Sequence, residues 1–279
     1  MSIPTATSLQ LPKLLLLGIA AGLMFLHLTL VWQQDYNNLW MTSLIFWGAI
    51  GILVSQKCRQ LTPTAGRLAS GFGTLILVVV LLKSTSPTLN YLNVFPLLSA
   101  LGLALLASGF RGLKQYRQEL ISLFFFSVPR IVVPVLIDLS PLTAKFATFL
   151  LWYLGFDVTR YGVNIILPEG AIMVYPGCSG LATILELLAL AVLLLVLFPT
   201  RRKYQILVPL GAVSLGFFVN SIRVVVMAIA SAANEEAFNY WHNGDGSLIF
   251  ALIAQLLFGL FCFGLLRLHE APRSPSVWD

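Results

Sequence analysis

The sequence predicts an all-α integral membrane protein of about eight transmembrane helices, both termini cytoplasmic, with a short strand-like outer loop before the sixth helix. Three observations carry this. The 279 residues are 58% hydrophobic and only 10% charged, with a mean hydropathy of +0.89. A soluble domain needs roughly 25% charged residues. Apolar runs of about 20 residues, the length of a membrane crossing, recur along the chain. Lysine and arginine collect in alternate connections between those runs. The composition excludes a water-soluble globule, a disordered chain and a disulfide scaffold, and leaves no room for a separate soluble catalytic domain. The whole of 1–279 is read as one polytopic domain.

The runs lie at 13–32, 39–56, 68–83, 91–110, 120–137, 178–198, 205–230 and 247–267. The first is too long for a cleavable leader and ends in Val31-Trp32-Gln33-Gln34-Asp35 rather than a small-residue cleavage site. The third is short and carries glycines. With the N-terminus in the cytoplasm, the inner segments hold Lys13, Lys57, Arg59, Arg67, Arg111, Lys114, Arg117, Arg201, Arg202, Lys203, Arg267 and Arg273. Only Lys83, Lys145 and Arg160 fall outside, whereas Asp35, Asp138, Asp157, Glu169, Glu235, Glu236 and Asp245 all do. The net charge of +6 is therefore a topology signal, and no nucleic-acid partner is expected.

The outer connection 138–177 is unlike the others. Residues 141–153 read as a short amphipathic or re-entrant helix. In 155–175, β-branched and apolar residues are interrupted by glycine, asparagine and proline, which predicts two short strands turning at Pro168-Glu169-Gly170. A connection this long usually carries function when ordered. The tail 273–279 reads as disordered.

Ionisable groups inside a span are costly and face the bundle interior or a water-filled cavity. Three occur: Arg130, Glu186 and Arg223. Asn220 shares a helical face with Arg223. The pair is either a polar clamp between helices or part of a site. Glu186 suits the neutralising partner of one of the arginines. His27 reads as a helix–helix hydrogen bonder.

Of the three cysteines, Cys58 and Cys262 fall towards the cytoplasmic side and Cys178 on the outer side, with no thiol there to pair with. Tyr175-Pro176-Gly177-Cys178-Ser179-Gly180-Leu181 opens a helix. Free amides at a helix start lower a thiol's pKa and suit a developing oxyanion. Alternatively, Gly-Cys-Ser-Gly is a small-residue segment that lets two spans approach. The last outer loop carries His242, the one outer histidine, followed by Gly244 and Gly246. Topology thus brings Cys178, His242 and, from partway down the seventh run, Arg223 to one leaflet. Nucleophile, proton shuttle and charge stabiliser are what thiol acyl transfer needs. A polytopic transporter or channel with intramembrane Arg/Glu pairs, a Ser179 nucleophile and a purely structural subunit are the competing readings. Arg223 sits ten residues of helix, about 15 Å, below Ala233. For it to meet Cys178, the seventh span ends early near Ile229, a re-entrant loop sets Cys178 into the membrane, or the arginine reaches upwards.

Pro176-Gly177-Cys178-Ser179-Gly180-Leu181, Asn220-Ser221-Ile222-Arg223, and His242 ahead of Gly244 resemble, in order and interval, the three signatures of the exosortase/archaeosortase family. The likeness covers about 155–247, is greatest to cyanobacterial exosortases, and extends to the first four spans only in kind. It implies a cysteine transpeptidase or protease of a prokaryotic plasma (inner) membrane, its site facing outwards. Its partners would be membrane lipid and exported proteins bearing a C-terminal sorting signal: a Pro-Glu-Pro-type motif, a transmembrane helix and a basic tail. By that resemblance Cys178 is the nucleophile, Arg223 the transition-state stabiliser and His242 the general acid/base. Ser179, Gly180 and Asn220 match the motifs without assigned chemistry, and Glu186 and Arg130 are possible supports. No metal cluster, phosphate loop or dinucleotide motif appears, so no cofactor is expected.

Overall fold

A computed structural model describes residues 6–57, 60–62, 65–198 and 200–270. Cys58, Arg59 and the tail 273–279 lie outside the described residues. The chain forms two compact units, Met1–Val133 with Val192–Leu197, and Pro134–Ala191 with Phe198–Asp279.

The first unit holds α1 (Ala6–Gln33), α2 (Asn37–Lys57), α3 (Arg67–Lys83), α4 (Leu89–Gly112), α5 (Arg117–Ser127) and the start of α6 (Pro129–Leu136). Small residues set the α3–α4 packing: a Cβ on Gly73 would lie 2.8 Å from the Gly102 carbonyl, so only bare backbones approach this closely. Thr88 caps α4 by accepting the Tyr91 amide. His27 is fully buried. Trp47 Nε1 donates to its Nδ1 at 3.1 Å, so Nε2 carries the proton and donates to the Leu92 carbonyl at 3.0 Å. It is the helix–helix bonder the sequence suggests. Phe46, next to Trp47, packs on Phe126 with ring centroids 4.6 Å apart. The start of α4 and the end of α5 therefore meet the same level of α2, and the chain reverses between them, at the 3₁₀ turn Leu113–Tyr116.

The second unit holds α7 (Ser140–Tyr153), β1 (Thr159–Tyr161), β2 (Asn164–Leu167), β3 (Gly170–Met173), a 3₁₀ turn (Pro176–Cys178), α8 (Leu181–Leu197, its last residues belonging to the first unit), α9 (Arg202–Ala233), α10 (Glu235–His242) and α11 (Asp245–Glu270). The outer connection has three antiparallel strands, not the expected two. The turn at Pro168-Glu169 joins β2 to β3 where expected. A second turn joins Tyr161 to Asn164, with Gly162 at φ +63°. Positive φ at the first central residue alone is the type II′ geometry that glycine permits. A single Gly inside a β-branched run leaves that reversal without a second marker in the sequence. Ile165 and Ile172 face each other across the ladder and, with Leu167 and Val174, pack on Val224, Val225, Met227 and Ala228 of α9. Their neighbours Ile166 and Met173 point away, as strand alternation requires.

Among the described residues, five helical stretches are long and apolar enough to cross a membrane, or six if the sharply bent pair α6–α7 is one broken span. α3 and α8, at 17 residues each, are shorter. The all-helical membrane class holds.

Candidate active site

Local backbone chemistry sets the thiol's position. The β2–β3 hairpin lies against the C-terminal end of α9: a Cβ on Gly170 would fall 2.7 Å from the Ala232 amide nitrogen. From there the chain runs back along α9. Its next anchor is Asn220, whose Nδ2 donates to the Cys178 carbonyl at 2.8 Å. Ala232 and Asn220 are twelve residues, or about 18 Å, apart on the helix. Cys178 is thus set well below the end of α9 by an inward-running strand. Gly180 follows at φ +85°, and a Cβ there would be 2.8 Å from Asn220 Cβ. Thr143 Oγ1 of α7 donates to the Ser179 carbonyl at 2.7 Å.

The other side of the site returns by a separate route. α9 does not end near Ile229; it runs to Ala233. Asn234 then breaks the helix in an extended conformation and caps α10 by accepting the Ala237 amide. α10 folds back against α9, which brings its last residues to Arg223. Arg223 Nη2 donates to the His242 carbonyl at 2.6 Å and Nε to the Trp241 carbonyl at 3.3 Å. His242 Nδ1 faces Cys178 Sγ at 3.5 Å. Its Nε2 meets the Tyr175 hydroxyl at 2.9 Å. Phe238 stacks on the imidazole, centroids 5.1 Å apart and 15° between planes.

The structure therefore gathers Cys178, His242, Arg223, Asn220, Ser179 and Gly180 in one place, within one unit. Two other residues that the sequence offers as supports have contacts to residues outside this cluster. Glu186, in α8, accepts a hydrogen bond from Gln255 Nε2 of α11 at 2.7 Å. Arg130 belongs to the first unit, with its guanidinium 4.9 Å from the Phe126 ring centre. Ser179 is buried and its hydroxyl donates to the Pro176 carbonyl at 2.7 Å. It caps the turn, and it is the cysteine that His242 addresses.

The thiol's electrostatics differ from the expected helix-start activation. α8 begins at Leu181, three residues on. The Cys178 amide donates to the Tyr175 carbonyl at 2.8 Å and the Ser179 amide to the Pro176 carbonyl, so neither remains for an oxyanion. Cys178 is 3% exposed. Burial pushes its thiol above the ordinary range, opposed by a hydrogen bond from Tyr175 and then by the charge of Arg223. Burial likewise holds the Tyr175 phenol up, so it stays protonated. A thiol in this state needs a base to ionise it, and His242 Nδ1 is in place.

Sequence reasoning misses Tyr175 as a functional residue, although it stands in the motif that flags Cys178. Three residues before a cysteine, beside an interfacial run, it looks like any boundary aromatic. Its contact with His242 spans 67 positions and has no linear trace. The same holds for Thr143 and Phe238.

A family model for transmembrane exosortases matches residues 13–259. No curated protein and no solved structure matches the chain.

Proposed function

The chain belongs to the transmembrane exosortase family, a family of membrane proteins that process other proteins, and from that premise we propose that it is a cysteine transpeptidase or protease acting on C-terminal sorting signals. The observation that carries the reading is the Cys178 Sγ to His242 Nδ1 approach of 3.5 Å, in a site where Arg223 holds the His242 carbonyl.

The geometry supports the following chemistry. His242 Nδ1 takes the thiol proton. The Cys178 sulfur attacks the scissile carbonyl and the π electrons move to oxygen. Arg223 spends Nε and Nη2 on carbonyls, and its Nη1 is the donor for that oxyanion. Collapse expels the amine, which takes its proton back from Nδ1, and leaves a thioester on Cys178. Water or another nucleophile then releases the acyl group.

Helix length supports a site at the outer membrane boundary. α9 has 32 residues, about 48 Å, against a hydrocarbon core of about 30 Å. Counted from the basic cluster Arg201-Arg202-Lys203, the hydrocarbon ends near Ile222, and Arg223 stands at its outer edge. The last ten residues of α9 then lie outside the hydrocarbon, wrapped by the hairpin and α10. Eight crossings, with both termini in the cytoplasm of a prokaryote, fit the reversal between α4 and α5 and the distribution of basic residues. The substrate is an exported protein whose tail helix lies in the bilayer, with its scissile bond at this boundary and its basic tail on the inner side.

Co-expression with a C-terminally signalled substrate tests the proposal. Cys178→Ala abolishes processing, and Cys178→Ser does not restore it. Undiminished processing by Cys178→Ala sinks the acyl-transfer reading and returns the polar residues to a transport or structural role.

A further inference from the structure

Tyr175 occupies a place in the site that the three signature residues do not account for. It lies two residues beyond β3, at the start of the turn that delivers Cys178, and its carbonyl accepts the Cys178 amide at 2.8 Å. That turn stacks residues 175 and 178 on one side. The tyrosine ring folds over the turn because residue 177 has no side chain: a Cβ on Gly177 would lie 2.5 Å from Tyr175 Cε2. So folded, the ring meets His242 edge to face, with centroids 5.7 Å apart and planes at 71°. Its hydroxyl reaches Nε2 at 2.9 Å. The imidazole is thereby held at Nε2 by Tyr175, on its face by Phe238 and through its backbone carbonyl by Arg223.

We propose that Tyr175 is the positioning residue of the site, selecting the His242 tautomer that can act as base towards Cys178. The inference rests on the cysteine acyl-transfer reading above. With the ring proton on Nε2 and donated to the Tyr175 oxygen, the Nδ1 lone pair faces the thiol. With the proton on Nδ1, the ring has nothing to accept the thiol proton with. When Nδ1 takes that proton, the ring becomes a cation, and the Nε2–H stays bonded to the phenol oxygen. When the amine leaves, the proton departs from Nδ1 and the original tautomer returns. Tyr175 keeps its own proton throughout, and its presence beside the thiol opposes the upward push of burial. A carboxylate or carboxamide commonly orients the histidine of such a site. Here a neutral phenol from the nucleophile's own turn does so.

The test uses the full-length protein in membranes, in a Cys58→Ser, Cys262→Ser background. The pH dependence of Cys178 alkylation by a small membrane-impermeant thiol reagent is measured beside substrate processing. Tyr175→Phe keeps the ring and its packing and removes only the hydroxyl. Its alkylation midpoint moves to higher pH, and processing falls on the order of tenfold or more, part of the 10²–10⁴ a general base supplies. Gly177→Ala, which displaces the ring, moves both readouts the same way. Unchanged midpoints in both variants overturn the role of Tyr175. The midpoints read the Tyr175–His242–Cys178 contact whatever the reaction is, whereas processing by Cys178→Ala sinks the acyl-transfer reading alone.

Discussion

Arg223 commits two guanidinium nitrogens to the carbonyls of Trp241 and His242, so it acts on the site twice. It sets the height of His242, and its charge bears on the thiol. Lysine offers one ammonium in place of a planar fork and cannot do both. Arg223→Gln is expected to lower processing by about 10²–10³-fold, the scale of a lost oxyanion donor, with Arg223→Lys only partly restoring it. The thiol supplies a second readout. Burial outweighs the two groups that favour the thiolate, so Cys178 titrates above an exposed cysteine. Its alkylation rate therefore keeps rising at pH values where an exposed thiol has levelled off. Removing the Arg223 charge removes a group that lowers the titration, so Arg223→Gln moves the midpoint further up. A midpoint that moves down contradicts the assignment. At this scale the sequence is most informative about identity. Ten per cent charge leaves so few polar candidates that Cys178, Arg223 and His242 stand out by chemistry. It says little about Tyr175 and nothing about how the two amides beside Cys178 are spent.

Elements are placed here by backbone contacts that only glycine allows. Gly170 brings β3 against the α9 backbone at Ala232, and Gly180 combines φ +85° with contact to Asn220. Gly180→Ala costs about 1–2 kcal/mol for the left-handed conformation alone. It also pushes Asn220 off the Cys178 carbonyl. Gly170→Ala lifts the hairpin from α9 and shifts the strand that sets the thiol's depth. Gly162→Ala meets open space and bears the φ cost only. The expected order of lost processing is thus Gly180→Ala and Gly170→Ala well ahead of Gly162→Ala, and limited proteolysis of the hairpin follows the Gly170→Ala loss. Equal effects at all three positions would rule out the contact argument. The helices themselves are legible in the sequence, because apolar length is a local property. The third strand is not, because its turn rests on one glycine. The descent of Cys178 along α9 and the return of α10 are not either, because both depend on long-range packing.

Across the whole molecule, charge economy separates stability from chemistry. In the first unit, Lys57 Nζ and Glu119 Oε2 form an ion pair at 2.7 Å, with the glutamate side chain 3% exposed. Lys57→Ala strands a buried carboxylate. Because the lysine is partly solvated, the loss falls towards or below the lower end of the roughly 3–5 kcal/mol for a broken buried pair. Thermal unfolding in detergent is expected to drop, and Lys57→Met with Glu119→Leu to recover much of it, while processing per folded molecule stays unchanged. A drop in processing without a drop in stability would refute this division. The pair joins residues 62 positions apart, and nothing in the sequence distinguishes either from the other charges in the connections between spans. What the sequence alone determined was the solvent, the helical class and the chemical inventory, since each follows from composition and local periodicity. Tertiary structure decided which of those groups meet. α9 is longer than a bilayer is thick, and the hairpin and α10 run back along it. That packing carries Cys178 and His242 to the level of Arg223, a coincidence of height that no spacing along the chain encodes.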